Sequence, residues 1–295
     1  MLPQGHGLPR IGLVVLAFVT LLWGVNWPVM KIVLGVMDPW TFRTIVVPFS
    51  GAILLITARL QGLPVLVARR MVAPLAVTSL FNITGWYAFS AWGLTELNSG
   101  EAALIAFTMP LWTSILSVFV LGERLTGRRI LALALGIIGV WLLLNADIAD
   151  IGASPLGAFY MLSAATTWAV GIVLLKRFNW NLPTISLAGW QLVVGGIPIA
   201  VMAIVTHPHL PVGIPVSVWA LIAFVIVGPM CFCSWGFFKV VSLFPAAVSA
   251  IGTLMVPVVG VASGSLILGE PLGLRELGAM ALICGGLSLT LFKAN

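Results

Sequence analysis

The sequence predicts an all-α polytopic membrane protein, with ten transmembrane helices arranged as two inverted five-helix repeats and both termini cytoplasmic. Three observations carry this. Of 295 residues, 61% are hydrophobic and only 7% are charged, and the mean hydropathy is +1.17; a soluble domain is usually about one quarter charged. The remaining charges and Pro/Gly clusters cut the chain into apolar runs of roughly the 20 residues that a helix needs to cross a hydrocarbon core. Finally, "MPLWTSILSVFVLGERLTGR" (Met109 to Arg128) and "MVPVVGVASGSLILGEPLGLR" (Met255 to Arg275) share Pro, Leu-Gly-Glu and Arg in the same order. Pro110 and Pro257, Glu123 and Glu270, and Arg128 and Arg275 each stand 147 positions apart.

The runs follow in order. The first, 11–32, is preceded by Arg10 and continues without a small-residue cleavage site to "WGVNWPVMK", so it reads as a span and not as a secretory signal. The second covers 39–58. The third, 71–93, contains Asn82-Ile83-Thr84 at mid-span, where the sequon is discounted as a glycosylation site. The fourth, 99–121, ends on the first Leu-Gly-Glu turn, and the fifth and sixth cover 128–146 and 155–176. The seventh, eighth, ninth and tenth cover 184–205, 216–238, 246–268 and 275–292, the ninth ending on the second Leu-Gly-Glu turn. The linkers are too short for a soluble domain. Cys231, Cys233 and Cys284 fall within spans, where buried free thiols are expected instead of a disulfide or a metal site.

Alternating the loops places Arg10, Arg59, Arg69, Arg70, Arg124, Arg128, Arg129, Lys176, Arg177, Lys239 and Lys293 on one side, against Lys31, Arg43 and Arg275 on the other. This split of the 14 basic residues makes the richer side cytoplasmic. The net charge of +6 therefore reflects topology and points to the lipid bilayer, not to nucleic acid. Trp23 and Lys31 in the first span are echoed 145 positions later by Trp168 and Lys176. The second copy thus begins near residue 150, giving halves of 1–150 and 151–295. Five spans per half is odd, so the second half enters the bilayer upside down, an architecture that opens a central site to each side in turn.

These residues also carry a resemblance. "WGVNWP" in the first span, the "LGERLTGRR" and "LGEPLGLRE" turns and the five-plus-five layout resemble the EamA family of the drug/metabolite transporter superfamily over essentially the whole chain. Within it the chain is most similar to the YddG-type exporters of aromatic amino acids and methionine. The resemblance implies a secondary transporter in the bacterial inner membrane, moving a small-molecule substrate without a cofactor.

The residues suggest where such a solute would bind. No Asp, Glu, Lys, Arg or His lies near the middle of any predicted span, which disfavours a phosphorylated substrate or a buried proton relay. The centre is aromatic and small-polar: Trp23, Asn26, Asn82, Trp86, Tyr87, Thr108, Trp112, Thr167, Trp168, Ser234, Trp235 and Thr253. Asn26 stands out, since an amide in lipid needs a partner and the family resemblance includes it in "WGVN". Trp27, Trp40, Trp92, Trp141, Trp180 and Trp219 sit near span ends and read as interface anchors. Arg43 and Glu101, near outer span ends, read as snorkelling side chains. Pro110 and Pro257, with Pro229, interrupt spans near mid-depth and free the carbonyls four residues earlier, which would suit an ammonium group.

Gly122 and Gly269 suit helix C-termini, and Glu123 and Glu270 suit the first amides of the helix that follows each. The repeat adds a sharper expectation. Glu123 pairs with Lys176 inside and Glu270 with Lys31 outside, latching the two mouths alternately. Small-residue spacings in spans five and ten (Ala132 to Gly136, Ala281 to Gly285) favour close packing within one chain, with a homodimer along helices five and ten as the alternative.

Apolar amino acids moved by alternating access form the leading expectation. Export or import of another small metabolite or a drug, purine-like solutes included, stays open, as does a passive channel. No "HExxH", paired aspartates or mid-span His suggest an enzyme or a metal site.

Overall fold

The computed structural model describes residues 10–122, 127–145, 154–206, 213–236 and 246–291, and all regular elements among them are helical. Glu123 lies outside the described residues, as do the side chains of Pro110 and Thr253. Helix α1 (Arg10–Leu34) runs through Pro28 without ending. Asp38 then caps α2 (Pro39–Leu60), its Oδ1 accepting the Thr41 N–H at 3.0 Å, with Pro39 in the first helical position. The third span is assembled from α3 (Val72–Ser79), a π-helical turn (Leu80–Gly85) and α4 (Trp86–Glu96). The fourth is split at Phe107 and Thr108 into α5 (Ser99–Ala106) and α6 (Met109–Leu121). Next come α7 (Gly127–Asn145), α8 (Pro155–Arg177) and α9 (Thr184–Thr206). The eighth span joins α10 (Val216–Val225) to a second π-helical turn (Ile226–Phe232) containing Pro229. Helices α11 (Ala246–Leu268) and α12 (Leu274–Leu291) complete the described elements.

Seven stretches among the described residues are long and apolar enough to cross a membrane, matching predicted spans one to four and six to eight. Shorter apolar stretches, Ile130–Gly139 and Met255–Leu268, lie where spans five and nine are expected. The outer faces suit lipid: Phe18, Phe49, Ile56, Phe119, Ile204 and Leu266 are all exposed.

Elements 145 to 147 positions apart pack on each other in opposite directions. In the pair α2 and α9, a Cβ on Gly51 would meet the Gly189 carbonyl, one on Gly196 would meet Pro48, and Ser186 Oγ bonds the Pro64 carbonyl at 2.8 Å, so one helix descends as the other rises. On α5 and α11, Gly100 faces Val261 while Ala103 faces Gly260. On α7 and α12, Ala132 faces Gly286 and Leu142 faces Gly278. All three pairs are antiparallel. Glycine makes these approaches possible because only a residue without Cβ lets backbones come so close in lipid.

The prolines behave unequally. Pro110 is the second residue of α6, directly after the break, whereas Pro257 is buried inside an unbroken α11. Both Leu-Gly-Glu glycines hold a left-handed backbone, φ 68° at Gly122 and 67° at Gly269, which ends the helix before each.

Candidate functional site

The π turns place much of the polar chemistry. A π turn inserts one residue into a helix, rotating the side chains beyond it and loosening its hydrogen-bond ladder. At the turn in the eighth span, the Pro229 carbonyl accepts the Trp23 indole N–H at 3.2 Å. Met230 Sδ accepts the Tyr87 hydroxyl at 3.1 Å. At the turn in the third span, Asn82 Nδ2 donates to Gln191 Oε1 at 2.8 Å, and Thr84 Oγ1 donates to the Gly195 carbonyl at 2.6 Å. Leu80 and Ile226, the first residues of the turns, are themselves 146 positions apart. Pro229 marked the second turn in the sequence; nothing comparable marks the first.

The structure brings several expected site residues together. Trp86 and Trp168 face each other, ring centroids 6.2 Å apart and tilted 55°. Asn26 Nδ2 donates to Met30 Sδ at 3.3 Å, while Asn26 Oδ1 and Asn82 Oδ1 are buried and accept no hydrogen bond from the described residues. Trp112 Nε1 donates to Thr108 Oγ1 at 3.2 Å. The hydroxyls of Thr108, Thr167 and Ser234 donate to carbonyls of their own helices, leaving only acceptor capacity for a solute.

Two cavities sit at opposite ends of α2. The larger, about 550 Å³, is lined by Trp40, Phe81, Thr84, Phe89, Trp92, Tyr160 and Thr167 among others. The smaller, about 270 Å³, is lined by Leu54, Gln61, Thr184, Ser234 and Trp235 among others. Ala88 and Phe89 of the first precede Ser234 and Trp235 of the second by 146 positions, so the two clefts are equivalent under the repeat. Of the expected site residues, Thr167, Ser234 and Trp235 line these two cavities. Trp235 lies against Phe232, ring centroids 5.7 Å apart and tilted 52°, and is 45% exposed.

Several expectations need correction. Trp27 is no interface anchor: it is 5% exposed within the main core, because the helix turns that face toward α11, where Gly260 leaves room for its ring. Arg43 does not snorkel. It is 1% exposed, with Nε donating to the Tyr87 carbonyl at 3.0 Å and Nη2 to Ser90 Oγ at 3.1 Å. Glu101 does not snorkel either, being 3% exposed and bonded to Arg275 Nη2 at 3.0 Å. Long side chains reach water only when no neighbouring span covers them, and adjacency of spans is not written in the sequence.

The repeated acid meets a different helix from the one that follows it. Glu270 accepts the Ser99 N–H (2.7 Å), the Gly100 N–H (3.2 Å) and the Ser99 hydroxyl (2.7 Å), which places a carboxylate at the positive end of α5. Gly264 makes the space, since a Cβ there would lie 2.4 Å from Glu270 Oε2. Lys31 approaches the same turn from α1, donating to the Leu94 and Leu97 carbonyls, and forms no ion pair with Glu270. Lys176 is exposed in the last turn of α8. Arg275 bridges Glu101 and Glu276, so the turn 94–100 is held by charged groups from α1, from the segment after α11 and from α12.

The Asn82–Gln191 pair yields a measurable expectation. Replacing either amide with leucine strands the other, and a double-mutant cycle read by thermal unfolding in detergent should give a coupling of roughly 0.6–1.7 kcal/mol, the range found for hydrogen bonds between membrane helices. Additive losses would mean that the two amides do not support each other.

Comparison with known proteins adds identity to this geometry. The chain is 30% identical over 295 residues to a probable amino-acid metabolite efflux pump of Escherichia coli, covering 93% of this chain and 92% of that protein. It is 26% identical over 273 residues to the aromatic amino acid exporter YddG of Ancylobacter novellus, covering 88% and 90%. A solved crystal structure with 23% identity superposes with a TM-score of 0.68, covering 96% of this chain and 97% of the other, and so shares its fold. The family and these relatives are transporters and not enzymes, and with the apolar spans they make this an integral protein of the bacterial inner membrane. The sequence profile of the EamA-like transporter family matches twice, over residues 10–145 and 155–292, and the chain belongs to that family.

Proposed function

We propose that this protein exports small zwitterionic amino acids with apolar or aromatic side chains, phenylalanine, tyrosine, tryptophan and methionine among them, by alternating access. Residues 1–150 and 151–295 are two inverted halves of five spans each, and both termini face the cytoplasm. The antiparallel packing of repeat-equivalent helices is the observation that carries this reading. Two copies related in this way give each mouth of the pathway a counterpart at the other end, so closing one and opening the other needs only a rocking of equivalent parts. The repeat-equivalent clefts at the ends of α2 agree with it.

The chemistry of the interior supports the solute class. Indole and phenol rings offer flat apolar walls. The buried oxygens of Asn26 and Asn82 offer acceptors to an ammonium group. The names of the related efflux pump and exporter point to the same solutes. Proteoliposomes loaded with radiolabelled phenylalanine, methionine, threonine or a nucleoside, with and without a pH gradient, test the reading. Phenylalanine and methionine are expected to cross faster than threonine or the nucleoside. Movement of a phosphorylated solute with none of the amino acids moving would overturn it.

A further inference from the structure

Arg43 is a guanidinium in a membrane span with no acidic partner among the described residues. The acids among the described residues are Asp38, Glu96, Glu101, Glu270 and Glu276, and none pairs with it; Glu101 and Glu276 pair with Arg275. What surrounds Arg43 is neutral. Its Cζ lies 4.9 Å from the Phe42 and Tyr87 ring centroids, and its two hydrogen bonds go to a carbonyl and a hydroxyl. Those bonds engage two of the five N–H donors that a guanidinium carries. A buried charge held only by dipoles and ring faces is expensive in lipid, and such a residue marks a functional site by default.

Its position agrees with that role. Tyr87, whose ring covers the guanidinium, donates through its hydroxyl to Met230 in the π turn of the eighth span. The neighbouring carbonyl, that of Pro229, holds the Trp23 indole. Arg43 therefore stands one side chain away from the junction of α1, α4 and the eighth span, where expected site residues converge.

We propose that Arg43 recognises the carboxylate of the transported solute, which supplies the missing counter-charge when the Tyr87 ring and the Ser90 hydroxyl give way. The planar fork of a guanidinium matches a carboxylate in two parallel hydrogen bonds. The inference rests on the amino-acid reading above and sharpens it: the carboxylate is obligatory, and neutral isosteres are rejected.

The test compares L-phenylalanine with L-phenylalaninamide, which replaces only the carboxylate, as competitors for binding of radiolabelled phenylalanine to purified protein in detergent. Direct binding of each labelled solute serves for variants that lose the competition signal. The wild type is expected to prefer phenylalanine by about 10- to 100-fold, the span of one charge-assisted pair. In Arg43→Gln the preference should fall to about unity through weaker phenylalanine binding, and in Arg43→Lys it should fall at least fivefold, because an ammonium keeps the charge and loses the fork. Since both solutes are read in one preparation, the ratio does not depend on how much variant folds. If Arg43→Gln yields no folded protein, the lysine variant decides. A preference unchanged in the folded variant, with both solutes weakened alike, would make Arg43 a structural brace and overturn the proposal. Failure of the wild type to bind phenylalanine at all, with another solute class bound, would instead overturn the amino-acid reading.

Discussion

Replacing Glu270 with alanine is expected to free the turn between Leu94 and Gly100 and to shift the transporter toward a form open at that end. Glu270 holds the first amides of α5 and the Ser99 hydroxyl through three hydrogen bonds. Bonds to a charged group are worth about 1.5–3 kcal/mol each, and solvent screening reduces this at Glu270, which is only half-buried. A net loss of about 2 kcal/mol is therefore reasonable for the set, which is roughly a 30-fold change in a two-state equilibrium. A cysteine placed at Ala102, fully buried on α5, reports it in a background lacking the three native cysteines. Its reaction with a membrane-impermeant maleimide added from outside should accelerate about tenfold or more. Glu270→Gln should fall between, since the amide oxygen still accepts but the charge at the helix end is gone. Lys31→Ala should act in the same direction and more weakly, because it removes donors to carbonyls only. Unchanged labelling in all three would reduce Glu270 to a static cap.

A second large effect is expected from Gly51→Leu. A Cβ there would lie 2.8 Å from the Gly189 carbonyl oxygen and 2.9 Å from the Val193 backbone nitrogen. Both are backbone atoms of α9, so neither can swing aside as a side-chain tip would, and α2 must separate from its repeat partner. Overpacking of this kind costs about 1–3 kcal/mol or more, enough to lower the unfolding midpoint in detergent by roughly 6–12 °C at the upper end. The rate at which Cys233, buried with no exposure, becomes reactive on heating is a convenient readout. Gly285→Ala is the control, since a Cβ there meets nothing within 4 Å. Equal midpoints for the two variants would contradict the close approach of α2 and α9.

Much of the fold was legible because lipid imposes a simple rule: every backbone polar group must be satisfied within the helix. Apolar run length therefore located the seven stretches long enough to cross a membrane, and the doubled Leu-Gly-Glu pointed to the repeat that the family profile matches twice. The glycine in each turn could be assigned a helix end from its chemistry, and its left-handed φ agrees. The site was less legible. Depth alone marks Trp23, Asn82, Trp86, Tyr87 and Trp168 as interior, and they contact residues of other spans. Their partners Gln191 and Met230 carried no signal, since an isolated glutamine or methionine in an apolar run looks like any other.

By itself the sequence determined the solvent, the helical class and the duplication, because these follow from composition, run length and self-similarity, which are properties of a one-dimensional string. Only the tertiary structure decided that Arg43 is buried without a counter-ion among the described residues, that Trp27 is core and that Glu270 holds α5 and not the helix after it. The reason is that burial and partnership depend on which helices lie side by side. In lipid that choice is made by close backbone approach at glycines such as Gly51, Gly264 and Gly260, and a single chain read from end to end does not state which distant residue each glycine admits.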